Sequence, residues 1–273
     1  MQNGAIRRKN MRDNISKSIK PSLPESIDGK LNYNFITPYI ISNYDNNILY
    51  HAGNYVFKSY NKGENWELIS NDLVSLSKKN NLSFSAGAFA ESEMNKGLLY
   101  YGTDRGSFWV TKDDGKNWSE NSNDIADAYI RSIAPSRYKK SRVYMSMTGI
   151  NYDDLNNYTY YSENYGEKWV SIKNNLPNEP VNIIVEDHKY ENILYAGLHR
   201  GLYISFDRGL NWNLFGKNIP QSSISDIEIN LDYNDMIVST HGRGIYKLNL
   251  NAVHTFYKIQ TEKNKFSDYL KNY

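Results

Sequence analysis

The sequence predicts an all-β protein, a β-propeller of four-stranded antiparallel blades, and three observations predict it. An eight-residue motif recurs four times, as SYNKGENW at 59–66, TKDDGKNW at 111–118, SENYGEKW at 162–169 and SFDRGLNW at 205–212. The motif tryptophans at 66, 118, 169 and 212 are 52, 51 and 43 residues apart, at or slightly above the spacing of propeller blades. Each motif also sits within the same succession of short apolar strands.

The motif is built as a turn that supports itself. Ser59, Thr111, Ser162 and Ser205 supply hydroxyls, and Asn61, Asp113, Asn164 and Asp207 supply acceptors for the turn's own backbone. Gly63, Gly115, Gly166 and Gly209 stand where the chain needs positive φ. Trp66, Trp118, Trp169 and Trp212 then fold back to bury an indole between strands. Asn at 61 and 164 keeps the acceptor and the tolerance for turn geometry. A structural role is therefore the simpler expectation for all sixteen residues, and direct binding of sugar or metal by the motif carboxylates is the lesser alternative.

Around each motif the strands read in a fixed order. A first strand A (PYIISN, YIRSIAP, VNIIVED, SDIEIN) is followed by B (ILYHAG, LLYYGT, RVYMSM, ILYAGL, MIVSTH). Strand C leads into the motif and D leaves it with WELIS, WSENS, WVSIK or WNLFG. The predicted blades are 35–72, 83–124, 129–177, 181–220 and a partial one at 224–250, which has A, B and C but no motif. Residues 251–273 remain as a C-terminal tail.

Composition narrows the function classes. A mean hydropathy of -0.69 comes from Asn, Lys and Tyr, while 40% of residues are still apolar and 14% aromatic, so the chain is folded with a very polar surface. A net charge of +2 without a long basic run does not supply the footprint that nucleic acid requires. The absence of cysteine excludes disulfides, thiolate metal sites and a cysteine nucleophile. The five histidines show no metal-ligand spacing, no Gly-rich phosphate loop leads into a helix, and no cofactor or metal is expected. No apolar run is long enough to span a membrane, and MQNGAIRRKNMRDN lacks the apolar core of a signal peptide.

The four motifs resemble the Asp boxes of bacterial-neuraminidase-repeat (BNR) propellers, and the blade text is similar to bacterial sortilin-like propellers often labelled glycosyl hydrolase. The resemblance covers nearly the whole chain and rests on GAIRRKN, NFITPYIIS, VFKSYNKGENWELISNDL, SIAPSRY, PVNIIVED, LYAGLHRGLYISFDRGLNW and VSTHGRGIYKLNL. It implies that the chain is the C-terminal part of a longer, generally exported protein, with residues 1–34 the end of an upstream blade and linker. The short tail departs from relatives that carry a long C-terminal region. A small closed ring, with strands from residues 1–20 completing the last blade, and an open arc of a larger propeller both remain open; the missing front and tail favour the arc, a partial propeller. An open arc would expose a blade face and promote self-association.

In an antiparallel meander the C–D and A–B turns share one face, and the B–C and D–A loops share the other. That second face gathers the candidate ligand-binding residues Arg105, His199, Arg200, His241 and Arg243. Solvated hairpin tips are the plainer expectation for all of them. Glycoside hydrolysis needs two carboxylates about 5–5.5 Å or 6.5–9.5 Å apart, and Asp104, Asp153 and Asp154 are the loop carboxylates that qualify by position. A sialidase would need an arginine cluster, which Arg105, Arg131, Arg200 and Arg243 specify too loosely. The leading expectation is a non-catalytic propeller that binds a peptide, protein or glycan opposite the boxes, a function the resemblance also implies. The alternatives are a propeller glycosidase and a fragment with a purely structural role.

Overall fold

The computed structural model describes residues 2–78 and 83–271; Met1 and the last two residues of the expected tail lie outside this range. A hairpin of β1 (Arg7–Lys9) and β2 (Ser16–Ser18) comes first. Blade 1 is β3 (Tyr39–Ile41), β4 (Leu49–Ala52), β5 (Val56–Ser59) and β6 (Glu67–Leu68). Blade 2 is β7 (Ala86–Glu91), β8 (Leu99–Thr103), β9 (Phe108–Thr111) and β10 (Ser119–Glu120). Blade 3 is β11 (Tyr129–Pro135), β12 (Val143–Gly149), β13 (Asp154–Ser162) and β14 (Val170–Ser171). Blade 4 is β15 (Val181–Glu186), β16 (Leu194–Leu198), β17 (Gly201–Ser205) and β18 (Asn213–Phe215), and blade 5 is β19 (Ile224–Asn230), β20 (Asp235–Thr240) and β21 (Gly244–Asn249). Every blade pairs its strands in sequence order, all antiparallel.

Burial explains why these segments hold as strands. The B strands of blades 2, 3 and 4 are buried along their whole length, with a neighbouring strand on either side and a neighbouring blade on either face. One apolar cluster fills each junction: Tyr50 with Phe89 and Leu99 between blades 1 and 2, Phe108 with Met145 and Trp169 between 2 and 3, Tyr144 with Ile184 and Trp212 between 3 and 4. The fourth cluster joins Tyr195, Leu202 and Ile204 to Ile227, Met236 and Val238 of blade 5.

Consecutive blades stack through their A strands, β3 on β7, β7 on β11, β11 on β15 and β15 on β19. Among the described residues no comparable contact carries β19 back to β3, so the blades form an arc, a partial propeller.

Each box tryptophan donates its indole N–H to the blade before it: Trp118 to the carbonyl of Ile69, Trp169 to Asn121 and Trp212 to Ile172, at 2.9, 3.0 and 2.9 Å. Trp66 makes the same bond to Ile19, at 2.8 Å. Ile19 follows the Arg8–Lys17 pair as Ile69 follows the Lys58–Glu67 pair. The β1–β2 hairpin thus occupies, against blade 1, the place that strands C and D of each blade hold against the next.

Residues expected only as a tail form α1 (Asn251–Lys271). Leu250 and Val253 enter the blade 4–5 core, with Tyr257 packed against it, a helical spacing that lays one apolar side on the propeller. Phe206, inside the fourth box, meets the rings of Phe256 and Tyr257. No helix among the described residues is long and apolar enough to cross a membrane.

Candidate functional site

The boxes use their own polar atoms. Ser59 Oγ accepts the amide of Gly63 at 2.8 Å and donates to Asn61 Oδ1 at 3.1 Å, and that oxygen accepts the amide of Asn65 at 2.9 Å. Thr111–Asp113–Gly115, Ser162–Asn164–Gly166 and Ser205–Asp207–Gly209 repeat the pattern. One amide oxygen suffices for it, which is why Asn61 and Asn164 stand in for aspartate. Gly115 has φ +90°, and a Cβ there would lie 2.6 Å from the carbonyl oxygen of Ile69. The preceding residue is also left-handed in every box (Lys62, Asp114, Tyr165 and Arg208).

On the opposite face a cleft of about 510 Å³ spans blades 1, 3, 4 and 5. Its walls come from three sources. Asn34, Phe35 and Ile36 approach from the segment ahead of β3; Ile150, Asn151, His199 and His241 come from B–C connections; Arg131 and Asn182 come from A strands. The last two have a clear structural origin. In β11 the pairing register shifts between Ile130 and Ser132, and in β15 between Val181 and Ile183, so Arg131 and Asn182 are the extra residues of β-bulges. A bulge leaves its residue out of the ladder and re-aims the side chain, here into the cleft. The Asn182 amide donates to Ser223 Oγ and to the Ile224 carbonyl at 2.9 and 2.8 Å, bracing blade 4 on blade 5.

Of the five residues expected to bind ligand, the cleft takes His199 and His241. The other three lie outside its lining. The Arg105 guanidinium stacks 3.6 Å from the ring centre of Tyr152. Arg200 pairs with Glu179 at 2.7 Å. Arg243 stands in the exposed β20–β21 turn, its carbonyl accepting the Tyr246 hydroxyl at 2.9 Å. Asn182, which sequence reasoning passed over, and Arg131, which it weighed only for a sialidase cluster, share one signal: each is a polar residue following the first buried apolar residue of an A strand, YIR and VN.

Two of the three loop carboxylates are held by hydrogen bonds within the protein and the third stands in a turn. Asp104, 8% exposed, accepts the amides of Phe84 and Ser85 at 2.9 and 3.4 Å; burial raises its pKa and these bonds oppose the rise. Asp154 accepts the Tyr158 hydroxyl at 2.7 Å and the Asn156 amide at 2.9 Å, bonds that hold its pKa below the usual range. Asp153, at φ +58°, ends the short 3-10 turn Ile150–Tyr152. None of the three lines the cleft, whose described lining carries Arg131, His199 and His241 but no Asp or Glu. The site is therefore suited to attract an anionic or hydrogen-bond-accepting group beside exposed apolar surface at Phe35 and Ile36.

A sequence profile described as sortilin, neurotensin receptor 3, matches residues 106–264. No curated protein matches the chain. Among solved structures, YCF48 from Cyanidioschyzon merolae superposes with a TM-score of 0.61 at 11% identity, covering 90% of this chain and 74% of its own. An ancestral GH74 enzyme gives 0.59 at 19% identity over 78% of this chain, and the GH74 xyloglucanase from Xanthomonas campestris 0.58 at 15% over 75%. At these identities the likeness is one of fold. This chain spans 27% and 35% of the length of those two enzymes.

Proposed function

The chain belongs to the sortilin (Vps10) family, and from that premise we propose that it is a non-catalytic binding module. The cleft opposite the boxes takes a peptide segment, free or part of a protein, with a glycan as the alternative ligand of the same surface. The observation that carries this reading is the lining: a cleft that holds Arg131 and several amides beside exposed apolar side chains and, among its described residues, lacks the carboxylate pair that glycoside hydrolysis needs. Phe35 and Ile36 would supply apolar contact area, while Arg131, His199 and His241 would fix orientation. Upstream blades, where present in a longer protein, would extend the same surface.

Panning a random-peptide display library against the full chain, alongside incubation with xyloglucan, tests this reading. The expected result is enrichment of peptides whose affinity falls tenfold or more in Arg131→Ala, with no release of reducing ends from xyloglucan. Release of reducing ends that disappears in Asp104→Asn would replace the binding reading with hydrolysis.

A further inference from the structure

We propose that Asp187, His188 and His254 form a binding site for a divalent transition-metal ion, zinc being the natural occupant, which clamps the start of α1 to the A–B turn of blade 4. Along the chain the histidine spacing signals no metal. The fold brings together residues more than sixty positions apart, on two elements.

Asp187 departs from the propeller's own repeat. Blades 1, 2 and 3 place Ser42, Ser92 and Ser136 at this point, each donating its amide to the carbonyl six residues on, as Asp187 does to Ile193. The serine hydroxyls accept the amide two residues later, and Asp187 Oδ1 does the same for Lys189 at 2.8 Å. The turn therefore needs one neutral acceptor. Aspartate adds a second oxygen and a negative charge, and it is fully buried. A buried carboxylate needs hydrogen bonds or a cation to replace its lost water, and among the described residues the basic side chain within ion-pair distance of Asp187 is His254, whose Nε2 lies 2.9 Å from Oδ2 and 3.1 Å from Oδ1.

His188 supplies the second irregularity. Both of its ring nitrogens are shielded from solvent and neither has a hydrogen-bond partner. An unprotonated imidazole nitrogen carries a lone pair that can ligate a metal. One donor atom from each of the three residues lies within 4.8 Å of the others. With metal–nitrogen and metal–oxygen bonds of about 2.0–2.2 Å, closing the triangle takes a side-chain movement on the order of 1 Å. Two imidazoles and a carboxylate are a recognised zinc set that leaves a fourth position for water.

The surrounding groups can orient these ligands. The Tyr195 hydroxyl donates to Asp187 Oδ2 at 2.8 Å. Asn234 stands 3.3 Å from His254 Nδ1, and its own Oδ1 is buried without a partner. The other amide orientation of Asn234 would offer that oxygen to a protonated Nδ1, the form that frees Nε2 for a metal.

Calorimetric titration of the chelator-treated full chain with zinc chloride, with cobalt(II) absorption as a second readout, tests the site. One ion per chain is expected, with a higher Tm and a tetrahedral-type cobalt spectrum. His188→Phe, which keeps the ring beside His254, should weaken binding at least tenfold while leaving the metal-free Tm near the parent's, because His188 makes no hydrogen bond to lose; His188→Ala should weaken binding as much. The double variant of His199 and His241 to Ala should bind as the parent does. Absence of stoichiometric uptake, or parental zinc affinity in the His188 variants, would overturn the proposal.

Discussion

The indole N–H of Trp66 donates to the carbonyl of Ile19 at 2.8 Å. The bond ties the first complete blade to the hairpin ahead of it, and three further tryptophans repeat it between later blades. Each indole fills space between two sheets and satisfies an acceptor at the end of a D strand, so stability of the arc resides in the junctions. For Trp212, only 3% exposed, Trp212→Ala is expected to cost about 3–5 kcal/mol. Trp212→Phe should cost about 1–3 kcal/mol, from the lost hydrogen bond and the smaller ring. Urea denaturation followed by far-UV circular dichroism measures both, and equal loss in the two variants would show that ring bulk contributes nothing and that the shared loss, the indole hydrogen bond, is the whole cost.

Lys58 crosses from blade 1 to the second box. Its side chain is 2% exposed, and its Nζ lies 2.5 Å from Asp114 Oδ2 and over the Tyr60 ring. Asp114→Asn leaves a buried ammonium without its counter-charge, and because Asp114 itself is 35% exposed the expected loss is about 1–3 kcal/mol rather than the larger cost of a fully buried pair. Adding Lys58→Met should recover part of it. A double-mutant cycle in which the second change deepens the loss would contradict this account.

His51 makes stability depend on pH. It is 1% exposed, donates to the Gly4 carbonyl at 3.2 Å and sits edge-on to Tyr33. Burial lowers its pKa from 6.5 to about 4. The folded chain then resists protonation that the unfolded chain accepts, so the stabilisation is complete above about 6.5 and is lost as pH falls toward about 4. The loss is on the order of 3 kcal/mol, and the segment around Gly4 should loosen first. Denaturation midpoints across this range should fall steeply for the parent and less for His51→Phe; parallel curves would remove His51 as the cause.

Arg131 and Asn182 owe their place in the cleft to β-bulges, not to loops. Arg131→Ala should therefore leave the unfolding free energy within about 0.5 kcal/mol of the parent, while peptides selected on the cleft lose affinity tenfold. A variant that unfolds instead would show that Arg131 supports the strand.

Blade 1 presents Tyr39 and Ile41, 45% and 56% exposed, on its outer side. The corresponding residues of blade 2, Phe89 and Glu91, are covered by blade 1. Such a face should drive self-association, and light scattering on a sizing column should show it relieved in Tyr39→Lys/Ile41→Lys. A monomeric parent at high concentration would refute the expectation.

What the sequence by itself determined is the repeating unit. Ser or Thr, Asn or Asp, Gly and Trp recur at fixed offsets because the turn's hydrogen bonds close within eight residues, and local chemistry of that range is visible in one dimension. The alternation of apolar residues set the strands for the same reason. Tertiary structure alone decided the rest. A bulge is a mismatch between two strands, so neither YIRSIAP nor VNIIVED announces that Arg131 and Asn182 leave the ladder. His254 meets Asp187 only because α1 folds back over the A–B turn of blade 4. Arg105, Arg200 and Arg243 share a face with the cleft in sequence order, yet a ring, a glutamate and an exposed turn hold them outside its lining, since where a long side chain settles depends on neighbours contributed by distant parts of the chain.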